Sequence, residues 1–347
     1  MTEIQRYIHK ATERHNLSAE ESARAFQIVM NGGATPAQVA ALLVALKMKG
    51  ETPDEIAGGV RAMRVKATPF PVEEKLKSQL VDTCGTGGDG AGTYNVSTAV
   101  ALVLAACGVP VAKHGNRAVS SRSGSADVLK ALGVNIDASE ALMQKSLKTT
   151  GFCFLLAPRY HPALRHVAPT RQELGMRTIF NLLGPLANPA GTQKQLVGVY
   201  QPEWLVPMAE VLKNLGSTSA WVVHGSDGLD ELTVTGSSRV AILKDGKIET
   251  KEIHPEQAGL GVHDAKNLKG GDAEHNAGAL RKLFGGKPGA YRDIVLLNVA
   301  AALVVAGVAE DLKQGASRAA EVIDNGSANQ TLDDVVLITN EEVFGRD

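Results

Sequence analysis

The sequence predicts an α/β protein in which a small helical domain precedes a larger α/β domain with a central, mostly parallel sheet. Three observations carry this. Residues 1 to 66 read as helices punctuated by three similar start signals. From Val81 to Asp127, two glycine-rich turns each follow an apolar strand and lead into a helix, the alternation that builds a parallel sheet. The 347 residues are 44% hydrophobic yet hold 36 glycines and only 4% aromatics. That balance suits an enzyme built on turns and backbone contacts rather than a base-stacking platform. Such a length is long for one domain and can bury a large core.

The formal net charge of -1 argues against general nucleic-acid affinity, although a local basic groove can hide in a neutral total. Cys84, Cys107 and Cys153 are odd in number and lack CxxC spacing. This fits a reduced compartment, hence the cytoplasm, and a zinc-free protein. MTEIQRYIHK lacks the apolar core of a signal peptide, and the longest apolar run, Ile294 to Ala309, is broken by Asn298 and too short for a bilayer. No membrane role is expected.

In the helical start, Ser18 with Glu21, Thr35-Pro36 with Gln38, and Thr52-Pro53 with Glu55 each fit a capping box, two with proline at the first helical position. Val39, Leu42, Leu43, Leu46 and Met48 give the helix over 36–48 an apolar face that needs a partner, either the body of the protein or a second copy. Thr68-Pro69-Phe70-Pro71 reads as an extended linker. It divides the chain into 1–70 and 71–347.

Leu80 to Thr83 then reads as a short buried strand, followed by the first turn, in DTCGTGGDGAGTYNVST. Gly85, Gly87, Gly88, Gly90 and Gly92 let the backbone approach a ligand, and Asn95, Ser97 and Thr98 open a helix over 98–107. This is a place for phosphate. The spelling also matches GxGxxG, but a dinucleotide fold wants an acidic residue after the next strand, and Pro110 to Ala112 ends in Lys113 and His114. Asp89 either caps a turn or meets a ribose hydroxyl or a hydrated Mg²⁺. One of Ser97 and Thr98 is an N-cap, and the other is free to hold a metal ion or a phosphate oxygen. Lys113 is placed to meet an anion, His114 to orient the loop, stack on a ring or serve structure, and Asn116 to bond a ligand or shape an Asx turn. Four hydroxyls and Arg122 lie in the run from Arg117 to Ser125, and Asp127 opens a helix over 127–132.

After a strand at Phe152 to Ala157, Pro158-Arg159-Tyr160-His161-Pro162 is irregular. Thr170 and Glu173 form a further box pattern that puts Arg171 in a first helical turn, where a cation wants an anion such as a substrate carboxylate. Asn181 to Asn188 marks a return to the α/β body. Trp221 to Val223 is a buried strand, and Asp230 and Glu231 follow it on a loop from which both can reach one hard cation. Val240 to Leu243 and Lys247 to Ile253 form a hairpin through Asp245-Gly246. The chain closes with LKGGDAEHNA, a helix over 273–284 and two apolar helices, 291–307 and 312–325, that cover the sheet.

GTGGD followed by NVST, KHGNR with SSRSGSAD, TRQELGMRTIFNLLGPLANP, HGSDGLDELT and LKGGDAEHNA resemble anthranilate phosphoribosyltransferases over nearly the whole chain. These belong to the nucleoside phosphorylase-like phosphoribosyltransferases. The resemblance implies transfer of the phosphoribosyl group of phosphoribosyl pyrophosphate to anthranilate, in tryptophan biosynthesis. It implies a homodimer through the helical domain, which helices from about 165–190 join, and two Mg²⁺ per subunit on Ser97, Asp230 and Glu231. It assigns phosphoribosyl pyrophosphate to Gly85, Gly88, Asp89, Thr93, Asn95, Val96, Ser97, Thr98, Lys113, His114, Gly115, Asn116, Arg117, Ala118, Val119, Ser120, Ser121 and Ser125. Anthranilate falls to Gly85, His114, Asn116 and Arg171. No acid or base is assigned, because an aromatic amine is neutral near pH 7 and needs positioning more than deprotonation. Two alternatives share the architecture: a pyrimidine nucleoside phosphorylase-like enzyme, and a non-enzymatic nucleic-acid-binding relative.

Overall fold

Four helices open the chain: α1 (Glu3–Thr12), α2 (Ala19–Met30), α3 (Pro36–Lys49) and α4 (Pro53–Lys66). The computed structural model describes residues 1–118 and 122–342. All three expected capping boxes form. Ser18, Thr35 and Thr52 accept from the backbone N–H three residues on, while Glu21, Gln38 and Glu55 reach back to the cap N–H. Val39, Leu42, Leu43 and Leu46 are buried, but Met48 is 72% exposed. Two residues past Leu46, it points to the opposite side of the helix. The linker is extended as expected and is also anchored, with Phe70 buried edge-on against Tyr160.

The α/β part begins with α5 (Glu74–Lys77) and β1 (Val81–Gly85), then α6 (Val96–Ala106), β2 (Val111–Gly115), α7 (Ser125–Ala131), α8 (Glu140–Thr150) and β3 (Phe152–Leu156). Three short helices follow, α9 (Ala157–Tyr160), α10 (Ala168–Leu174) and α11 (Phe180–Leu183). Then come β4 (Lys194–Gly198), α12 (Leu205–Asn214), β5 (Ser219–Gly225), β6 (Ser238–Lys244) and β7 (Lys247–Ile253). The last helices are α13 (Ala273–Phe284), α14 (Ala290–Ala306), α15 (Leu312–Asp324) and α16 (Ser327–Thr339). The seven strands order as β3-β2-β1-β4-β5-β6-β7, with β1 to β5 parallel and the β6–β7 hairpin antiparallel at one edge. Asp245 and Gly246, at φ 51 and 73, make its turn.

Both faces of the sheet are covered, so its strands alternate between two cores. Trp221 and Val223 of β5 face a core built with α6 and α13 to α16. Ala220 and Val222 face a second core shared by α12, the opening helices and Val167, Ile179, Phe180, Leu182 and Leu183. Phe26 of α2 meets Phe180 edge-to-face with ring centroids 5.5 Å apart. The helical layer is therefore completed by chain from the middle of the sequence. No helix among the described residues is long and apolar enough to cross a membrane.

Several boundaries differ from the sequence reading. β2 runs through Lys113 and His114 to Gly115, so both side chains lie in the sheet, 1% and 7% exposed. α6 starts at Val96, which moves Ser97 and Thr98 inside its first turn and leaves Asn95 as the N-cap residue. The Thr170–Glu173 box does not form. α10 starts at Ala168 with Pro169 in the first turn, where its missing N–H costs nothing, and Arg171 falls in the last turn. A cation is favoured there by the macrodipole, not penalised. The helices α8, α12 and α16 have no counterpart in the sequence reading.

Candidate active site

β1 lies between β2 and β4, and the chain leaves it toward one side and returns on the other. The carboxyl ends of β1 and β4 thus flank the switch point where open α/β sheets take ligands. From Gly85 the glycine-rich loop runs to Asn95, with Gly87, Gly88, Gly90 and Gly92 all at positive φ. Thr86 holds its base, donating from its N–H to Gly198 O at 2.9 Å and accepting at Oγ1 from Tyr200 N at 3.0 Å. Arg177 Nη2 donates to Gly88 O, and the Arg177 guanidinium lies 4.4 Å from the Tyr200 ring centre. Asp89 Oδ1 accepts from Ala91 N at 3.1 Å, the turn-capping reading of that residue.

Ser97 and Thr98 sit in the first turn of α6, and Thr98 Oγ1 is buried with no hydrogen-bond partner among the described residues. Lys113 does not project into solvent. Its Nζ donates to Thr83 O at 2.5 Å and to Ser97 Oγ at 3.2 Å. Burial holds the Lys113 amine below its usual range, against the attraction of Asp82. Asp82 itself is fully buried and is pushed up to about 6 by burial, opposed by Lys113, Asn188 and the His114 N–H. Asn188 Nδ2 donates to Asp82 Oδ2 and to Ala112 O, each at 2.8 Å, and His114 N donates to Asp82 Oδ1 at 3.2 Å. The sequence reading missed Asp82, Asn188, Arg177 and His161. Only Asp82 carried a signal, a carboxylate inside an apolar strand.

Asp230 and Glu231 are half-buried on the loop after β5, as expected. Asp230 Oδ2 accepts from Gly87 N at 2.7 Å, tying the acidic loop to the glycine loop. The approach demands glycine at Gly85 and Gly198, since a Cβ on either would strike Asp230, on its carboxylate and its backbone carbonyl respectively. Burial and the nearby Asp89 push Asp230 up to about 6; burial and Asp230 push Glu231 well above the carboxylate range, with Lys113 opposing. No three His, Cys, Asp or Glu side chains among the described residues are arranged to hold a metal ion. Two crowded carboxylates beside a hydroxyl do not cage a cation. They fit Mg²⁺, which binds through one or two carboxylates and keeps waters and substrate phosphates as its other ligands.

Toward the helical layer, the His114 ring lies 5.1 Å from that of His161. His114 is pushed down to about 3, chiefly by burial and then by His161, and burial pushes His161 down to about 4. His114 Nε2 and both His161 ring nitrogens have no hydrogen-bond partner among the described residues. After Gly115, Asn116 Oδ1 accepts from Arg117 N at 2.8 Å and Asn116 O from Ser125 Oγ at 3.2 Å, while Asp127 Oδ2 accepts from Ala118 N at 2.9 Å. Arg117 lies 3.9 Å from Asp137. Val119, Ser120 and Ser121 lie outside the described residues. Thr93 pairs with Lys269, and Asn95 bonds Ser123 and Asn276.

Arg171 stands apart from this group, half-buried on α10 with its guanidinium 5.2 Å from the Phe180 ring centre. Among the described residues it makes no side-chain hydrogen bond or ion pair, and burial lowers its pKa. The structure thus gathers Gly85, Asp89, Ser97, Lys113, Asp230 and Glu231 closely, and sets Arg171 on α10 against Phe180.

Residues 5–67 match the glycosyl transferase family, helical bundle domain, and residues 77–329 match the glycosyl transferase family, a/b domain. Anthranilate phosphoribosyltransferase of Azospirillum brasilense is 56% identical over 343 residues, covering 99% of this chain and 95% of that protein. The enzyme of that name from Rhodospirillum rubrum is 56% identical over 322 residues, 93% of this chain and 92% of the relative. Among solved structures, the anthranilate phosphoribosyltransferase of Thermus thermophilus superposes with a TM-score of 0.90 at 46% identity, covering 96% of this chain and 99% of that one. That of Saccharomyces cerevisiae, in complex with PRPP and Mg, has a TM-score of 0.87 at 27% identity and covers 97% of each chain. With family models matching residues 5–67 and 77–329 and a relative 56% identical over 99% of this chain, the protein belongs to the anthranilate phosphoribosyltransferase family.

Proposed function

We infer that this chain transfers the phosphoribosyl group of 5-phosphoribosyl 1-pyrophosphate to the amine of anthranilate, releasing pyrophosphate, in tryptophan biosynthesis. The observation that carries this reading is a pair of features. One is the set of glycine-loop and α6 N–H groups beside Lys113 and two carboxylates; the other is Arg171 on α10, a guanidinium with no anionic partner among the described residues. A diphosphate fits the first and a small carboxylate the second.

Departure of the leaving group places positive charge on the anomeric carbon and negative charge on pyrophosphate. Fixed donors at the loop, the first turn of α6 and the second loop would stabilise the latter without reorganising. Asp230, Glu231 and Ser97 are the residues that would hold Mg²⁺, two ions per subunit, and bound Mg²⁺ supplies charge neutralisation for the diphosphate. Arg171 and Asn116 would orient anthranilate, with Gly85 at the junction of the two substrates. The neutral His114 and His161 keep the acceptor side free of added charge. The remaining loop residues, Gly88, Asp89, Thr93 and Val96 to Thr98, with Gly115 to Ser121 and Ser125, are proposed for the phosphoribosyl pyrophosphate side.

The same reading takes residues 1–70, with about 165–190, as a helical domain and 71–347 as the α/β domain. It places the enzyme in the cytoplasm as a homodimer through the helical domain, for which the exposed Met1 and Met48 offer apolar surface. The experiment is the loss of anthranilate fluorescence on adding phosphoribosyl pyrophosphate and Mg²⁺, with each omitted in turn. Loss that needs all three supports the reading. No loss beside an active control enzyme overturns it and turns attention to thymidine phosphorolysis, then to nucleic-acid binding.

A further inference from the structure

We propose that Lys269 and Asn276 are positioning residues that hold the glycine-rich loop in the form that receives the diphosphate end of the sugar substrate. This rests on the transferase reading above and gives work to LKGGDAEHNA, a motif the reaction itself leaves idle. The segment runs beside the loop like a short added strand. Tyr94 N donates to Leu268 O at 3.2 Å, Gly270 N donates to Gly92 O at 2.9 Å, and Thr93 pairs antiparallel with Lys269. Lys269 Nζ donates to Ala91 O at 2.7 Å. Gly270 is needed for this fit, since a Cβ would lie 2.6 Å from Thr93 O and 2.8 Å from Asn276 Oδ1.

Asn276 is 2% exposed in the first turn of α13, which Asp272 caps. Its Oδ1 accepts from Gly271 N at 2.8 Å, and its Nδ2 donates to Asn95 Oδ1 at 2.9 Å. Asn95 Nδ2 donates in turn to Ser123 O at 3.1 Å. Both ends of the Asn95 amide are therefore engaged by protein, and its part in substrate binding is to join the two loops. Asn95 is also the N-cap residue of α6, so its placement sets the direction of the first-turn N–H groups of Val96, Ser97 and Thr98. Tyr94, stacked on Tyr291 with centroids 4.3 Å apart, fixes the adjoining residue.

A loop carrying four glycines at positive φ has much freedom to lose. Held from outside, it loses less on binding, so the bracing contacts raise affinity for the diphosphate end. Arg171, on α10, shares none of these contacts, so its hold on the acceptor is left alone.

The test uses the full-length chain with Asn276→Ala, which changes no charge, and with Lys269→Met, a surface change that keeps the question open should the first variant fail to fold. Steady-state kinetics and amide hydrogen exchange over residues 86–98 are the readouts. We expect KM for phosphoribosyl pyrophosphate to rise about tenfold in Asn276→Ala and about threefold in Lys269→Met, with KM for anthranilate within about twofold of wild type. Exchange across the loop should be faster in both. Unchanged exchange in a folded variant, or the two KM values rising together, overturns the proposal. A wild-type chain that does not turn over anthranilate sinks the transferase reading instead, and exchange then still reads whether the brace holds the loop.

Discussion

At Gly198 a hydrogen is all the site admits, because a Cβ would overlap the Asp230 carbonyl. Gly198→Ala must therefore shift the loop that carries both carboxylates. Turnover of anthranilate is expected to fall about a hundredfold, the cost of roughly 1 Å of misplacement, with the far-ultraviolet circular dichroism of wild type retained. Removing both charges, in Asp230→Asn with Glu231→Gln, should raise the Mg²⁺ concentration for half-maximal activity at least about tenfold. An unchanged Mg²⁺ dependence takes the pair out of the metal site. His161 answers to pH. Its folded pKa, about 4, lies below the ordinary 6.5. Between those values the unfolded chain binds protons that the folded chain does not, so this stability is full above pH 6.5 and drains away as pH falls. His161→Gln should remove about 2 kcal/mol of the loss between pH 7 and 5, read as a flatter pH dependence of the urea midpoint. A slope like that of wild type would mean that the ring charges freely in the folded chain.

Among the elements, the segment after α10 acts as a latch, because Arg177 crosses from it to Gly88 O while stacking on Tyr200. Arg177→Ala is expected to raise KM for phosphoribosyl pyrophosphate several-fold, by about 1 kcal/mol, and Arg177→Lys should not restore it, since an ammonium cannot stack and donate at once. Restoration by lysine would leave charge alone as the explanation. Elements whose signals are local are legible in the sequence: three capping boxes closed within four residues, the Asp245-Gly246 hairpin, and α13 to the residue. Those set by distant partners are not. The Thr170–Glu173 pattern reads as a helix start, but Pro169 already occupies the first turn of α10. Lys113 reads as strand-end and ligand-facing, because its burial depends on Asp82 of the neighbouring strand and Ser97 of α6. The glycine loop can be named from sequence, but not the Lys269 and Asn276 contacts that hold it, which come from 178 and 181 residues away.

For the whole molecule, the fold class and the crevice at the switch point follow from strand–glycine turn–helix repeats, while the helical layer shows what such reading leaves out. Val167, Ile179, Phe180 and Leu183 complete a core begun by α2 and α4. Residues 1–70 expressed alone should therefore expose the Phe26 face, bind a hydrophobic dye and melt with little cooperativity; a sharp transition would show that the four helices suffice. The same interleaving bears on how the protein is born. A ribosome adding about 5 to 20 residues per second releases α4 and then needs roughly 6 to 24 seconds to deliver Leu183. Throughout that interval the nascent helices carry an uncovered apolar face, and β1, β2 and β3 emerge before it is sealed. The enzyme's first half is thus a natural client for chaperones that attend chains still on the ribosome.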